Sequence, residues 1–459
     1  MSDATDWPHG LLLAFYGDDF TGSTDAMEAM TAAGVPTVLF LDTPGPEALI
    51  RFAHVRCVGV AGSSRGRPPG WMDTELPKVF AALARLGAPI LHYKVCSTFD
   101  SSPTIGSIGR AIDIGVAQMP GTWSPTIVGA PRLRRYQVFG NLFAAVDGVG
   151  YRLDRHPTMS HHPVTPMHEA DLRMHLAEQT ARPIELIDMV QLRSGKAADR
   201  LGALRRSTVP VVMIDVLDDE TLCEAGRLVW QQRGPGLFSA SSSGLSYALT
   251  AHWRGAGLLP PEPSLPVAAP VPMIAAVSGS CSPVTAAQIR WARDNGFVAE
   301  RLDLPRALAI DSRAKEIGRI VALACGALQR GTSVVVFSAE GPDDPSVQRF
   351  DTIARDAGLT RTEAARLVGA ALAEVMRQVL DAVDLQRVVV AGGDSSGEVA
   401  GALDIEALTV IAGLSPGAPL CRAWSANERR DGLQIVLKGG QMGEAAFFGT
   451  ARDGGTLPR

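Results

Sequence analysis

Short apolar, β-branched runs alternate along this chain with longer stretches whose apolar residues recur at helical spacing. That alternation is the pattern of α/β domains built on mostly parallel sheets flanked by helices. In the first half, strands are predicted at 11–16, 37–41, 55–60, 90–95, 126–128 and 209–215, with helices at 24–33, 75–86 and 170–179. The alternation then breaks at 257–272, GLLPPEPSLPVAAPVP, where six prolines in 16 residues exclude regular helix and central strand. It restarts with a strand at 273–277, a helix at 284–295 and a strand at 333–337. The longest helix, 361–383, sets Leu367, Ala371, Leu372, Val375, Val379 and Leu380 near a 3.6-residue period. Strands at 387–390, 408–412 and 433–437 complete the pattern. The expected architecture is two α/β domains, 1–256 and 273–459, each with a mostly parallel sheet, joined by a stiff linker at 257–272.

Composition narrows the class. With 46% hydrophobic and 20% charged residues, the chain has material for sizeable globular cores. Forty-three basic residues against 48 acidic ones leave −5, so there is no basic footprint for nucleic acid. No uncharged apolar run approaches the ~20 residues that span a bilayer. The N-terminus lacks the basic segment and apolar core of a signal peptide. Cysteines 57, 96, 223, 281, 325 and 421 form no CxxC pair and read as reduced thiols. The expectation is a cytoplasmic protein with a small-molecule partner and neither nucleic acid nor membrane; a homodimer is compatible with the sequence.

Chemistry concentrates at strand ends, where open α/β sheets bind ligands. Gly17-Asp18-Asp19-Phe20-Thr21-Gly22-Ser23-Thr24-Asp25 follows an apolar strand and opens a helix. Ser23 or Thr24 could cap that helix. Capping does not account for both Asp18 and Asp19, which suit general-base work or metal placement. Lys94-Val-Cys-Ser97-Thr98-Phe-Asp100-Ser-Ser102 ends another strand, and its cation, hydroxyls and carboxylate suit a small polyhydroxylated anion. Arg65, in Gly62-Ser-Ser-Arg-Gly66, could add a carboxylate clamp. Histidines 156, 161, 162 and 168, interrupted by prolines, match no zinc spacing, so they are read as a pocket-shaping loop in which His162 and Thr165 stand out.

In the second half three turns carry glycine with Ser or Lys: Ser278-Gly279-Ser280-Cys281-Ser282, Gly392-Gly393-Asp394-Ser395-Ser396-Gly397 and Lys438-Gly439-Gly440-Gln441-Met442-Gly443. Glycine lets backbone approach a ligand, and a following helix N-terminus offers N–H groups to phosphate. The Walker A pattern is absent. Gly393-Asp-Ser-Ser-Gly397 also fits a hydrolase nucleophile elbow, but that triad needs a histidine downstream and none follows His252.

Taken in order, these motifs resemble the four-carbon acid sugar kinase family over roughly 11–448, together with His162-Pro-Val-Thr-Pro-Met167. The resemblance implies an N-terminal domain that binds a sugar acid and a C-terminal domain that binds ATP. It further implies an ATP- and Mg²⁺-dependent kinase acting on a terminal hydroxyl of threonate, erythronate or a 3-oxo relative. On that reading Asp18 or Asp19 takes the hydroxyl proton or helps place Mg²⁺. Arg65 and Lys94 hold the carboxylate; Ser97, Thr98 and Asp100 bond hydroxyls, with His162 and Thr165 nearby. Ser280, Ser282, Gly392, Gly393, Asp394, Ser395, Ser396, Gly397, Lys438, Gly439 and Gly440 hold the nucleotide. The Cys-Ser-Thr-Phe-Asp-Ser stretch is closest to the 3-oxo acid branch. Asp394 and Ser395 stand where that family usually has Glu and Thr, and Lys438-Gly-Gly-Gln-Met-Gly443 replaces Lys-Ser-Gly-Asn-Phe-Gly. Ser102–Arg110 and Pro131–Gly140 are untypical of the branch, which leaves open a branched oxo acid such as 3-oxo-isoapionate. A non-kinase sugar-phosphate enzyme, either isomerase or aldolase, and a non-catalytic sugar-acid sensor are the competing readings.

Overall fold

The computed structural model describes residues 7–146, 148–162, 164–204, 208–261 and 265–455, with the Asp394 side chain outside that description. The chain divides into two compact units, Met1–Ser264 and Leu265–Arg459. Both are α/β.

The first unit opens with β1 (Leu13–Gly17), α1 (Phe20–Ala32), β2 (Thr37–Phe40), β3 (Cys57–Ala61) and β4 (Ile90–Lys94). Next come β5 (Ser124–Thr126), β6 (Arg135–Val138), β7 (Asn141–Val146), β8 (Val149–Arg152), β9 (Ile184–Ile187) and β10 (Val211–Ile214). Helix α2 (Asp219–Gln231), β11 (Leu237–Ser241) and α3 (Gly244–Gly255) close it. The main parallel sheet runs β11-β4-β1-β3-β2. Helices cover both faces of such a sheet, so β1, β4 and β11 are buried at every position rather than at alternate ones. A parallel β5-β10-β9 sheet and an antiparallel β6-β7-β8 sheet complete the unit.

The β6–β7 turn shows how distant residues decide local structure. Phe139 and Gly140 both take positive φ, 50° and 81°, as a two-residue hairpin turn requires. A phenylalanine pays strain there. The buried Asp215 carboxylate offsets it by accepting from the Phe139 N–H at 2.5 Å and the Gly140 N–H at 3.0 Å. Burial raises this carboxyl to about 6 even against those hydrogen bonds.

The second unit contains β12 (Ala275–Ser278), α4 (Pro283–Asp294), β13 (Val298–Arg301), β14 (Val334–Phe337) and α5 (Arg361–Ala382). It continues with β15 (Arg387–Ala391), α6 (Gly393–Ala402), β16 (Ile405–Ser415), β17 (Ala418–Ser425) and β18 (Gln434–Lys438). Its strands run in the order β16-β17-β18-β15-β12-β14-β13. β18, β15, β12, β14 and β13 are parallel, whereas β17 is antiparallel to both β16 and β18. The strand expected at 408–412 is the middle of an 11-residue strand, and its hairpin partner β17 was not anticipated. A capping box at Thr360 and Glu363 starts α5, the helix whose apolar stripe was legible.

Candidate active site

Asp18 and Asp19 lie where β1 passes into α1. Asp19, rather than Ser23 or Thr24, caps the helix: its Oδ1 accepts the Gly22 N–H at 2.8 Å. The helix therefore begins at Phe20, four residues earlier than its apolar spacing suggested. Asp19 Oδ2 accepts from Arg65 Nη1 at 2.7 Å. Asp18 accepts the same guanidinium in a bidentate pair, from Nη2 at 2.7 Å and Nε at 3.1 Å. Backbone bonds lace the strand ends together, with the Asp18 N–H donating to the Lys94 carbonyl at 2.9 Å and the Arg65 N–H to the Asp18 carbonyl at 3.0 Å.

This geometry changes the part expected of Arg65. All three of its nitrogens serve the two aspartates, so it is committed to orienting them rather than free to clamp a carboxylate. Burial opposes its charge, but Asp18 and Asp19 hold its proton affinity well above the usual arginine range. Asp18 is 2% exposed, and burial, reinforced by the Asp19 charge, raises its pKa against the pull of Arg65 and Lys94. Gly22 is required at the centre: a Cβ there would meet Asp19 Oδ1 at 2.4 Å and Lys94 Nζ at 3.0 Å.

Lys94 ends β4, next to β1. Its buried ammonium donates to the Val95 carbonyl at 3.1 Å and lies 3.7 Å from Asp25 Oδ2. In the loop beyond, the Thr98 hydroxyl donates to Asp100 Oδ1 at 2.6 Å and lies 3.0 Å from Cys96 Sγ, while Ser97 is half-buried. Burial, with the Asp100 charge adding, pushes the Cys96 thiol up to about 11, so it is a neutral neighbour rather than a nucleophile. Phe99 takes φ 58° at the loop's apex.

His162 and Thr165 are brought together, with the Thr165 N–H donating to His162 Nδ1 at 3.1 Å and its hydroxyl also 3.1 Å away. Among the described residues, no hydrogen bond or ion pair joins them to the Lys94–Asp100 loop. The histidine that does reach this loop is His175, whose Nε2 lies 2.9 Å from Ser101 Oγ, with Gln179 Nε2 donating to the same hydroxyl at 3.0 Å. Sequence reasoning also passed over Ser241, Ser242 and Ser243 at the end of β11. The Val95 N–H donates to the Ser241 carbonyl at 2.9 Å, and Ser242 Oγ donates to the Val128 carbonyl at 2.8 Å. A strand followed by serines, glycine and a helix was the available signal.

In the second unit, the three glycine turns close β12, β15 and β18, which are adjacent in the order β18-β15-β12. The Gly279 N–H donates to the Ala391 carbonyl at 3.0 Å and the Gly392 N–H to the Lys438 carbonyl at 2.9 Å. Glycine is demanded by close approach: a Cβ on Gly279 would stand 2.1 Å from Ser395 Oγ, and one on Gly440 2.4 Å from Ser280 Oγ. Gly392 has φ 126°, and Gly393 begins α6, with Gly397 one turn inside it. Such turns at a helix N-terminus form a backbone cradle of the kind phosphates occupy.

The hydroxyls divide. Ser282 Oγ caps α4 by accepting the Val284 N–H at 3.1 Å, and Ser280 Oγ accepts the Ser282 N–H at 3.2 Å. Ser396 Oγ turns back to the Gly392 carbonyl at 2.8 Å, so it shapes the turn, whereas the buried Ser395 hydroxyl lies against Gly279 and Gly392. The Asp394 side chain lies outside the described residues. Lys438 is directed inward in this structure. Its Nζ donates to the Gly439 carbonyl at 3.1 Å and Thr285 Oγ1 at 3.3 Å, and burial lowers it to about 8. Two residues missed from sequence hold this last turn: the Thr285 hydroxyl donates to the Gly440 carbonyl at 2.8 Å, and Gln288 Nε2 donates to the Met442, Gly443 and Glu444 carbonyls at 2.9–3.1 Å. Their spacing of three along one helix was the faint signal.

Comparison with known proteins bears on both halves. A sugar-binding N-terminal domain family matches residues 13–249, and a nucleotide-binding C-terminal domain family matches 275–448. The chain is 73% identical to a 3-oxo-isoapionate kinase of Paraburkholderia graminis, over 99% of this chain and 96% of that one. It is 30% identical to a 3-oxo-tetronate kinase of Cupriavidus necator, over 96% and 97% of the respective chains. A Salmonella typhimurium LT2 protein of known structure shares the fold at TM-score 0.77, with 23% identity over 96% of this chain and 98% of that one.

Proposed function

The chain belongs to the four-carbon acid sugar kinase family and is a phosphotransferase that uses ATP on a short acid sugar; on that footing we propose that its acceptor is 3-oxo-isoapionate, phosphorylated on a terminal hydroxyl. The observation that carries the choice of acid is the 73% identity to a 3-oxo-isoapionate kinase across nearly the full length of both chains. The untypical 102–110 and 131–140 segments, which set this chain apart from the 3-oxo-tetronate pattern, support the same choice.

Phosphoryl transfer is mostly positioning and electrostatics. Asp19 is the base that accepts the hydroxyl proton. Its side chain is 27% exposed, whereas Asp18 is buried and binds Arg65 through both oxygens. Arg65 fixes the pair, with Asp18 anchoring the guanidinium beside the base. Thr98 and Asp100, already hydrogen-bonded to each other, accept and donate to substrate hydroxyls, with Ser97 and Lys94 beside them. His162 and Thr165, bonded to each other, are assigned to the acid-binding side on the family resemblance.

The turns around Gly279, Gly392 and Gly440 receive the phosphates through backbone N–H groups, with Ser280 and Ser395 as hydroxyl donors. The glycines fit that task because added side chains would fill the cradle. Mg²⁺, when bound, would supply charge neutralisation for the transfer; Asp19, the part-exposed member of the Asp18–Asp19 pair, would be the carboxylate to help hold it, because both oxygens of Asp18 are engaged by Arg65. The six free cysteines are compatible with a reducing, cytoplasmic setting. Among the described residues, no helix is long and apolar enough to cross a membrane.

A panel of C4–C5 sugar acids incubated with ATP and Mg²⁺ tests the reading. ADP release with 3-oxo-isoapionate, at a kcat/KM at least tenfold above that with 3-oxo-tetronate, threonate or erythronate, is expected. Preference for a straight-chain acid would replace the proposed acceptor, and tight binding without turnover would leave a sensor instead.

A further inference from the structure

At the strand ends of the acid-binding half, Arg65 and Lys94 are already engaged and not free for the substrate's own carboxylate. Arg65 is consumed by Asp18 and Asp19, and Lys94 faces Asp25. Around these strand ends Asp18, Asp19, Asp25 and Asp100 outnumber Arg65 and Lys94, an unfavourable field for an anion. Arg135, the first residue of β6, is different. Its Nη1 is tied to the Leu133, Arg134 and Ala145 carbonyls at 3.1, 3.3 and 3.3 Å. Its Nε is buried without a hydrogen-bond partner, and among the described residues it forms no ion pair.

Backbone contacts connect this arginine to the strand ends. Arg135 and Ala130 exchange backbone hydrogen bonds at 2.8 and 3.2 Å. The stretch leading to Ala130 is bonded to the end of β11: the Ile127 N–H donates to Ser241 Oγ at 2.9 Å, and Ser242 Oγ donates to the Val128 carbonyl. Ser241 in turn receives the Val95 N–H, immediately after Lys94. Burial lowers Arg135 from the ordinary arginine range, while Cys96 and Asp100 act to raise it, which places its charge near the Cys96–Asp100 loop. Burying a guanidinium nitrogen unpaired is costly, and an incoming anion removes that cost.

We propose that Arg135 is the residue that binds the substrate's carboxylate, reading it through the unpartnered Nε edge while the three backbone carbonyls hold the guanidinium in place. The proposal rests on the acid sugar kinase reading and adds the group that makes the acceptor an acid. Arginine suits the task because its planar fork pairs with a carboxylate in a fixed geometry.

The test compares each acid accepted by the wild-type enzyme with its primary amide, which keeps the hydroxyls and loses the charge. For Arg135→Gln, KM for the acid rises at least 50-fold, KM for the amide changes less than threefold, and KM for ATP is unchanged. Arg135→Lys, which keeps the charge but not the fork, lies between. If Arg135→Gln leaves KM for the acid within threefold of wild type, or weakens acid and amide equally, the proposal is wrong. Should Arg135→Gln not fold, the acid-to-amide KM ratio of Arg135→Lys decides: an unchanged ratio overturns the proposal. Absence of wild-type turnover on every acid overturns the kinase reading itself, a result distinct from a silent Arg135 variant.

Discussion

The two halves hold their candidate binding turns by different means. In the first, side-chain charge does the work: Arg65 binds two adjacent aspartates through three nitrogens, Asp19 also caps α1, and Asp25 flanks Lys94. In the second, neutral groups do it: glycine backbones pack against serine hydroxyls, and Thr285 and Gln288 tether carbonyls of the last turn. A sugar acid must be oriented and its hydroxyl deprotonated, which calls for carboxylates. A polyphosphate mainly needs N–H groups aimed at its oxygens, which a backbone supplies without side chains. Charge in one half and close backbone approach in the other follow from those two demands.

The largest effect that would break this contrast is at the charged half. Asp19→Asn removes the base while retaining an oxygen to cap Gly22, so kcat falls by about 10²–10⁴, with KM for ATP unchanged. Steady-state kinetics on the preferred acid check it, and turnover within fivefold of wild type would move the base elsewhere. A smaller effect is expected in the neutral half. Gly440→Ala drives a methyl into Ser280 Oγ, raising KM for ATP about tenfold, or roughly 1.4 kcal/mol, while KM for the acid stays put. An acid KM that rises in parallel would blur the division between the halves.

The smallest effect concerns Lys438, the lysine that closes β18. Burial lowers Lys438 to about 8, so it is charged below that pH and neutral above it. Any attraction it exerts on phosphate is present below pH 8 and lost as pH rises through that value. The kcat/KM for ATP, which reports the free enzyme, should therefore decline a fewfold between pH 7.5 and 9 in the wild type. Lys438→Arg, charged throughout, should remove the decline. A wild-type profile flat to pH 9 would mean that Lys438 serves only the turn, through Thr285 and the Gly439 carbonyl.

The strand-end motifs were legible because parallel strands buried on both faces leave continuous apolar runs, and the glycines and aspartates that follow punctuate them sharply. α5 was legible through its periodic stripe and cap. β11 was not, because Leu237-Phe-Ser-Ala-Ser241 interrupts its apolar run with serines whose hydroxyls bond partners 114 residues away. The β6-β7-β8 sheet was not, because its first turn depends on Asp215, 75 residues further on. Arg135 resembled any other residue of an arginine-rich segment until Ala130 and Ala145 fixed where its head group sits.

The sequence by itself determined the α/β class, the two kinds of glycine- and aspartate-bearing turn and the family, since these depend on local periodicity and on residue types within a few positions. Tertiary structure decided which charges are spent and which are available. Arg65, Lys94, Lys438 and Arg135 are all basic residues in the sequence, and only the fold distinguishes them: the first two face carboxylates and the third a hydroxyl brought from other segments, while the last keeps one buried donor unpaired. The reason is physical. Whether a cation is available depends on the neighbours within a few ångströms, and in this fold those neighbours come from strands and turns far apart in the chain.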